Sequence, residues 1–416
     1  MRVLVIGSGG REHALCRALA SDPAVTSLHA APGNAGIARL AELHPVDAAD
    51  PAAVTALAAS LDPGLVIIGP EAPLVAGAAD ALREAGLACF GPDAAAAMIE
   101  GSKAFAKQIM AAAGIPTAAA RTCLTQDQAD QALDTFGPPY VVKDDGLAGG
   151  KGVLVTTDRT AASRHAQRRG KVVIEEFLDG PEVSLFALCD GTAAIPLLPA
   201  QDFKRARDDD RGPNTGGMGA YVPLPWAPPD LAGQVMDTVI QPAVDELRRR
   251  GAPYRGVLYA GLSLTAGGIR VVEFNARFGD PEVQVVLDRL ATPLAGLLYA
   301  SATGGLACLP PLDWRPGAAV TVVIAAEGYP EQPVTGDEIE GLDFAERSGA
   351  AYVLHAGTVA GRDGRVLSNG GRVLNVVGTG PDLTAARGAA YQAAGQIRMR
   401  GGWYRRDIAQ RAAAGA

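Results

Sequence analysis

The chain is predicted to be an α/β and α+β multidomain protein, with a parallel-sheet domain at its N-terminus and a small C-terminal β-rich domain. Three observations support this. Over the first hundred residues, short apolar runs alternate with alanine-rich helical stretches, the pattern of parallel strands joined by crossover helices. From about Lys103 the alternation gives way to paired apolar runs around glycine-rich turns. The last hundred residues carry β-rich runs around an Asn-Gly turn and one closing helix. The 416 residues suffice for about three domains, and for cores that need no disulfide or metal staple.

Composition narrows the functional class. Hydrophobic residues make up 48% and charged residues 20%, a globular balance. The net charge of −8 speaks against a nucleic-acid-binding face. No apolar run of about 18 residues predicts a membrane span. The five cysteines (Cys16, Cys89, Cys123, Cys189 and Cys308) are scattered without a CxxC pair. Such a set suits reduced thiols and a cytoplasmic location. The opening MRVLVIGSGGREHA places four apolar residues before a glycine turn, which suits a buried first strand rather than a signal peptide. Glycine, at 51 residues, exceeds the ~7% of an average chain, so its clusters merit attention.

The N-terminal pattern gives strands at 3–6, 27–31, 65–69 and 87–91 and a helix at 12–21, a Rossmann-like domain over residues 1–102. Gly7-Ser8-Gly9-Gly10 between the first strand and helix offers backbone amides to a phosphate. A dinucleotide fingerprint fails twice. Glu12 stands where the third glycine belongs, and the second strand ends in Ala31-Pro32-Gly33-Asn34, with no acid for a ribose. A small phosphate fits the turn, and a tight turn with no ligand is the structural alternative.

A helix at 103–113 stops at Gly114 and Pro116. A strand at 140–143 then enters the loop Asp144–Gly152 before its partner strand at 153–156. Four glycines with Lys143 and Lys151 at the two ends suit a lid over a polyphosphate. The loop is not a Walker A motif, because no GK[ST] opens a helix. The strand at 172–178 carries Glu175 and Glu176, and the turn Asp179-Gly180-Pro181-Glu182 leads to a strand at 181–189. Such a hinge exposes backbone groups for an adenine edge and a carboxylate for ribose hydroxyls. Residues 201–229 read as a long structureless loop, of the kind that is usually functional or disordered, whose glycines can cradle an anion.

A helix at 231–250 precedes a hairpin of strands 256–264 and 269–275 around the turn 265–268. Residues two apart in a strand face one side, so Glu273 and Asn275 aim two oxygens at one point while Val272 and Phe274 face a core. Carboxylate and amide oxygens are hard ligands of the kind Mg²⁺ takes. Arg277 follows as a fork for phosphoryl or carboxylate oxygens. Beyond a strand at 320–325, residues 365–367 and 372–377 read as a hairpin through 368–371, and a helix at 383–397 follows.

The segments GSGGREHAL, APGNAG, GPEAPLV, EGSKAFAK, KDDGLAGGKGV, IEEFLDGPE, GPNTGGMGAY, LYAGL, EFNARFGDPE, LHAGT and SNGGRVL occur in this order. Together they resemble the ATP-grasp ligases and, within them, the glycinamide ribonucleotide synthetase (phosphoribosylamine–glycine ligase) family, along nearly the whole chain. The resemblance implies an ATP-grasp core at 103–119 and 179–307, a mobile lid subdomain at 120–178 and a C-terminal domain at 308–416. It also implies a reaction. ATP phosphorylates the glycine carboxylate, and the amine of 5-phosphoribosylamine attacks the resulting glycyl phosphate, an early step of purine synthesis.

Residue by residue, the resemblance implies ATP contacts at Lys103, Lys143, Gly146, Gly149, Gly150, Lys151, Glu175, Glu176, Phe177, Leu178, Glu182 and Lys204. Glu273 and Asn275 correspond to the ligands of Mg²⁺ or Mn²⁺. Gly9, Gly10, Arg11, Asn34 and Glu71 lie in segments that resemble the phosphoribosylamine site. Asp202, Asn214, Gly216, Gly217, Arg277 and Asp280 lie in segments facing glycine and the phosphates. Lys151, Arg277 and Asp280 are the implied catalytic residues. The implied partners are the small-molecule substrates alone, with no nucleic acid, membrane or obligate protein partner.

Two departures from the family pattern stand out. Asp144 sits beside a phosphate-binding lysine, where the family has a small residue, and weakens phosphate attraction unless it points away. Residues 158–170 are shorter than the family's helical segment and second flap. Their Arg159, Arg164, Arg168 and Arg169, with Lys171, are expected to form a basic rim that replaces flap contacts. The competing functions are another ATP-grasp carboxylate–amine ligase, such as a carboxylase-type relative, and a nucleotide-binding homologue with impaired catalysis.

Overall fold

A computed structural model describes residues 1–147 and 152–415. The first elements build a sheet whose inner strands are buried and largely apolar because helices cover both faces. In chain order they are β1 (Arg2–Gly7), α1 (Gly10–Ala20), β2 (Ser27–Pro32), β3 (Glu42–Leu43), α2 (Pro51–Leu61), β4 (Leu65–Ile68), α3 (Glu71–Val75), α4 (Ala78–Glu84) and β5 (Cys89–Phe90). The strands form one parallel sheet in the order β3-β2-β1-β4-β5. The order reverses between β1 and β4, so the crevice at their carboxyl ends is where such a sheet takes ligands. Gly9, before α1, and Glu71, which opens α3, both sit there. Two further helices, α5 (Ala94–Gly101) and α6 (Lys103–Ala112), lead out of the domain. Ser102 caps α6, its hydroxyl accepting from the Phe105 amide.

Next come β6 (Ala120–Cys123), α7 (Gln126–Phe136), β7 (Tyr140–Asp144), β8 (Val153–Thr156), α8 (Arg159–Arg169) and β9 (Val172–Glu175). They build an antiparallel sheet, β6-β9-β7-β8, with a core of its own around Cys123, Leu133, Val142, Ala162 and Ile174. The segment that is short by the family's measure is a capped helix. Asp158 accepts from the Thr160 and Ala161 amides at the start of α8. The expected strand at 172–178 ends at Glu175, and residues 176–178 form the connection to the next sheet.

Residues 182–222 supply β10 (Glu182–Asp190), β11 (Ala194–Pro196), β12 (Gln201–Asp202), β13 (Arg205–Arg207), β14 (Arg211–Asn214) and β15 (Gly219–Val222). Residues 201–229 are therefore not structureless. Then follow α9 (Leu231–Val235), α10 (Gln241–Arg249), β16 (Arg255–Thr265), β17 (Gly268–Asn275), α11 (Glu282–Arg289) and α12 (Leu294–Thr303). The helix expected at 231–250 carries a π turn, Met236–Ile240, between α9 and α10. Pro242 has no N–H to give the preceding turn, and the wider turn relieves the clash. An antiparallel sheet, β11-β10-β16-β17, backs the centre of the molecule.

The C-terminal elements are β18 (Ala318–Ala325), α13 (Leu342–Ala345), β19 (Ala351–His355), β20 (Thr358–Ala360), β21 (Val366–Ser368), β22 (Arg372–Gly380) and α14 (Leu383–Ala394). The hairpin expected through 368–371 does not form. β21 pairs with β20, and β22 lies between β18 and β19. Val373, Leu374, Val376 and Val377 are fully buried, so β22 needs a central position that three-residue β21 cannot provide. The full sheet runs β12-β15-β18-β22-β19, so two of its strands come from the middle of the chain. No helix among the described residues is long and apolar enough to cross a membrane. All five cysteines are unpaired.

Candidate active site

All four units border one cleft of about 700 Å³. The N-terminal domain contributes Arg11 and Glu71, the sheet β6-β9-β7-β8 Lys143 and Glu175, the central sheet Glu273 and Asn275, and the C-terminal sheet Arg372.

Lysines gather on α6 and β7. Lys103 Nζ donates to the Gly146 carbonyl at 3.0 Å. Lys143 Nζ donates to the Val272 carbonyl at 2.8 Å and pairs with Glu175 at 2.9 Å. The other Glu175 oxygen meets Lys107 at 3.3 Å. Glu175 thus acts through its side chain, as the shared counter-ion of two lysines, whereas the sequence pointed to its backbone. Sequence reasoning missed Lys107, although four residues after Lys103 it falls on the same face of α6. Burial pulls Lys107 down to about 8, against the opposing charge of Glu175.

Glu176 ties the hinge. Its amide donates to the Ala119 carbonyl at 3.0 Å, and its carboxylate accepts from the Ala119 amide at 2.9 Å and from Arg270 at 3.2 Å. Phe177, Leu178, Met110, Val141 and Val155 are apolar residues that line the cleft. Gly146 also lines it, and Gly149, Gly150 and Lys151 lie outside the described residues.

Asp144 points away from the cleft. Its carboxylate meets His165 Nε2 at 2.8 Å and Arg169 at 3.2 Å, both on α8. The basic rim is likewise directed to solvent and to acids outside the cleft. Arg159 pairs with Asp134 at 2.7 Å and Lys171 with Asp145 at 2.7 Å. Arg159, Arg164, Arg168, Arg169 and Lys171 do not line the cleft, so the expectation that they replace flap contacts is corrected. Asp145 also accepts from Ser102 Oγ at 2.9 Å and the Ala104 amide at 3.0 Å, tying the loop to the start of α6.

Acids gather on β17 and the elements beside it. A bulge opposite Gly261 and Leu262 breaks the alternation of β17. Val271, not Val272, therefore enters the core with Phe274, and Val272 borders the cleft beside Glu273 and Asn275. Burial raises the Glu273 carboxyl, but Lys204, Lys143, Lys103 and Arg277 outweigh it and hold the group below its ordinary value. Asn275 Oδ1 has one long contact, 3.5 Å from Arg277, which leaves it free to coordinate. An ionised carboxylate and an uncommitted amide oxygen fit Mg²⁺ or Mn²⁺. Glu182 pairs with Lys204 at 2.7 Å. Burial and the neighbouring Glu282, Glu182 and Glu273 push Asp202 up to about 8, partly offset by Lys204. Burial pulls Lys204 down, but Asp202 and Glu182 outweigh it and hold the lysine charged. Glu282, which the sequence motif contained without a role, is buried and accepts from Ser184 Oγ at 3.1 Å.

The glycine turn after β1 is less open than the sequence suggested. The Gly9 amide donates to Glu12 at 2.5 Å and the Arg11 amide to Asp280 at 3.2 Å, so two internal carboxylates occupy amides at the start of α1. Gly10 lies against Asn375, Gln284 and Asp280. Arg11 and Arg277 share Glu71, at 3.9 and 3.3 Å, and Arg277 also pairs with Glu100 at 3.0 Å. Arg277 is therefore clasped by two acids rather than held as a free fork. Asn34 does not line the cleft. Its amide donates to the Ser8 and His355 carbonyls and accepts from the Gly36 and Ile37 amides, joining the first domain to the last.

Arg372 closes the cleft from the C-terminal sheet. It donates to the Gly216 carbonyl at 2.6 Å and to the Asp280 carbonyl, and its charge lies 3.5 Å from the Asp280 carboxylate. Gly217 has φ +110°, and a Cβ there would stand 2.4 Å from the Pro281 ring. Only glycine fits this close approach. Asn214 and Gly216 complete this end of the cleft.

Known proteins share this architecture and sequence. Models of the phosphoribosylglycinamide synthetase N domain, ATP-grasp (A) domain and C domain match residues 1–100, 101–283 and 319–411. The phosphoribosylamine–glycine ligase of Streptomyces coelicolor is 64% identical over 415 residues, covering 99% of this chain and 100% of that protein. The crystal structure of phosphoribosylamine–glycine ligase from Thermotoga maritima superposes with a TM-score of 0.84 at 34% identity, covering 98% of this chain and 100% of that one. The biotin carboxylase domain of the Hydrogenobacter thermophilus 2-oxoglutarate carboxylase shares the fold at 17% identity, with a TM-score of 0.72 and coverage of 97% and 91%. By sequence along its whole length, this chain belongs to the phosphoribosylglycinamide synthetase family.

Proposed function

We propose that the cleft performs the reaction of that family in the following way. The chain is an ATP-dependent carbon–nitrogen ligase that joins glycine to 5-phosphoribosylamine and yields glycinamide ribonucleotide, ADP and phosphate. A carboxylate oxygen of glycine attacks the γ-phosphorus of ATP and the bond to ADP breaks, leaving glycyl phosphate. The amine nitrogen then attacks the carbonyl carbon. Phosphate leaves with the bonding pair, and the amine loses a proton. A carboxylate is a poor electrophile until phosphate is its leaving group, so positioning and charge stabilisation carry the rate.

The observation that carries the reading is one cleft that brings several lysines and hard oxygen donors together. Lys103 and Lys143 hold the polyphosphate as point charges, and Glu175 fixes Lys143. Phe177, Leu178 and the backbone at 176–178 take the adenine, and Glu182 takes the ribose. Glu273 and Asn275 would hold Mg²⁺ or Mn²⁺, which would supply positive charge to the phosphate oxygens. Asp202, Asn214, Gly216 and Gly217 face glycine. Arg11, Glu71 and Gly9 border the place of 5-phosphoribosylamine, and its phosphate meets the α1 amides only by displacing Glu12 or Asp280. Arg277 and Asp280 order the junction where the two substrates meet. The reading as an impaired homologue rested on Asp144 and the short 158–170 segment. Asp144 faces α8 and that segment is a capped helix, so neither supports it.

The test is ADP release from Mg²⁺-ATP, glycine and 5-phosphoribosylamine generated in situ, with each component omitted in turn. Release that requires both substrates is expected. Release with either substrate omitted would overturn the reading.

A further inference from the structure

A second cluster of ligating side chains lies away from the cleft, at the edge of the N-terminal sheet. His29 is on β2, Glu42 on β3, and His44 follows directly. The parallel ladder sets His29 opposite Glu42, and the His44 amide donates to the Ala30 carbonyl at 2.9 Å, which brings the three together. His29 Nδ1 and His44 Nε2 are 3.0 Å apart. The Glu42 carboxylate lies 3.6 Å from His29 Nδ1 and 3.9 Å from His44 Nε2. Among the described residues this is the one group of three or more His, Cys, Asp or Glu ligand atoms that all fall within 4.8 Å of one another. Nitrogen and oxygen ligands about 2.0–2.2 Å from a tetrahedral zinc ion stand about 3.3 Å apart, so small side-chain shifts place all three on one ion.

We propose that His29, Glu42 and His44 form a site for a divalent transition-metal ion of the zinc type. Two imidazoles and a carboxylate are its ligand set, whereas the all-oxygen pair Glu273 and Asn275 suits Mg²⁺. His29 is buried and Glu42 is 69% exposed, so the open coordination position faces solvent and takes water. The site has a structural consequence. β3 has two residues and pairs with β2 at only two positions, so a bound ion adds a cross-link to a marginal edge strand. The cross-link leads toward the contact between the first and last domains. Leu43 packs so closely on Gly33 that a Cβ there would stand 2.4 Å from it, and the next residue is Asn34, which bonds Ser8 and His355. Without metal, the same two rings form an N–H···N hydrogen bond. His29 Nε2 lacks a partner in both states and does not favour either.

The experiment uses the full chain, free of any affinity tag and stripped of metal, titrated with Zn²⁺ and separately with Mg²⁺ by calorimetry and thermal unfolding. Wild type is expected to bind one more equivalent of Zn²⁺ than His44→Ala. It is also expected to show a Zn²⁺-dependent rise in Tm that His44→Ala lacks and Mg²⁺ does not produce. Glu42→Gln is expected to weaken the site while leaving the metal-free Tm unchanged, since Glu42 is exposed. Co²⁺ is expected to give the visible bands of a four- or five-coordinate ion in wild type only. Equal Zn²⁺ stoichiometry in wild type and His44→Ala, or a Tm response that survives the substitution, would overturn the proposal and leave a hydrogen-bonded imidazole pair.

Discussion

The Asp144 carboxylate lies 2.8 Å from His165 Nε2, so an acid that follows Lys143 in sequence directs its charge onto α8 rather than into the cleft. Arg169, one helical turn further along α8, takes the other oxygen at 3.2 Å. The two departures from the family pattern, Asp144 and the short 158–170 segment, are thus parts of one contact. The helix supplies the groups that neutralise the acid.

Asp144→Ala is therefore expected to loosen the lid without improving phosphate binding. Loss of a mostly buried charged hydrogen bond costs about 1–2 kcal/mol, discounted because Arg169 is half exposed. Amide hydrogen exchange in β7 and α8 is expected to accelerate while the KM for ATP stays near wild type. A clear fall in that KM would show that Asp144 repels the nucleotide after all.

Lys107 gives the wild type a pH signature. Its pKa is lowered from 10.5 to about 8, chiefly by burial. Below pH 8 the lysine is charged in both folded and unfolded chains, and the folded state carries the full cost of burying that charge. Between pH 8 and 10.5 the folded chain binds fewer protons, so this group's contribution to stability improves with pH, by up to roughly 3 kcal/mol. Urea unfolding of wild type and Lys107→Met at several pH values checks this. The wild type is expected to gain on the variant across that window, and a constant difference would refute the assignment.

The parts of the site that follow from local periodicity were legible. Glu273 and Asn275 face the cleft as period two requires, and Lys103 and Lys143 line it. Val272 was misplaced because a bulge carries no composition signal that separates it from regular strand. Lys107 and Glu175 were missed as a pair because their contact joins α6 to β9 across the hinge. The C-terminal sheet was only partly legible. β12 and β15 sit in a Gly- and Pro-rich stretch of low strand propensity, and β15 becomes strand by pairing Gly219 with Val322, a hundred residues away. Asn369-Gly370 has the composition of a hairpin turn, but the burial demand of β22 overrides it.

Glu273→Ala is expected to lower turnover by at least about a hundredfold while the far-ultraviolet circular dichroism stays unchanged, because its side chain borders the cleft rather than the core. Chelation of the wild type should abolish ADP release, with Mg²⁺ or Mn²⁺ restoring it. Activity retained in Glu273→Ala would remove this residue from the metal site.

Arg372 separates a positioning role from a binding one. It lies on β22, yet its hydrogen bonds and ion contact reach Gly216, Gly217 and Asp280, on the segments proposed to face glycine. The Gly216 amide is held from the same sheet region by the Tyr329 hydroxyl at 3.1 Å. Removing the guanidinium leaves three carbonyls without this donor and the Asp280 carboxylate without its nearby charge, a loss of about 1.5–3 kcal/mol, or roughly ten- to a hundredfold in kcat/KM for glycine. Arg372 bonds none of the residues proposed to contact ATP, so the KM for ATP is expected to change little in Arg372→Ala. Arg372→Lys keeps the charge but not the fork and is expected to recover only part of the activity. If the KM for ATP rose in step with the loss for glycine, Arg372 would be a general structural support of the cleft and not a device that sets the glycine-facing loop.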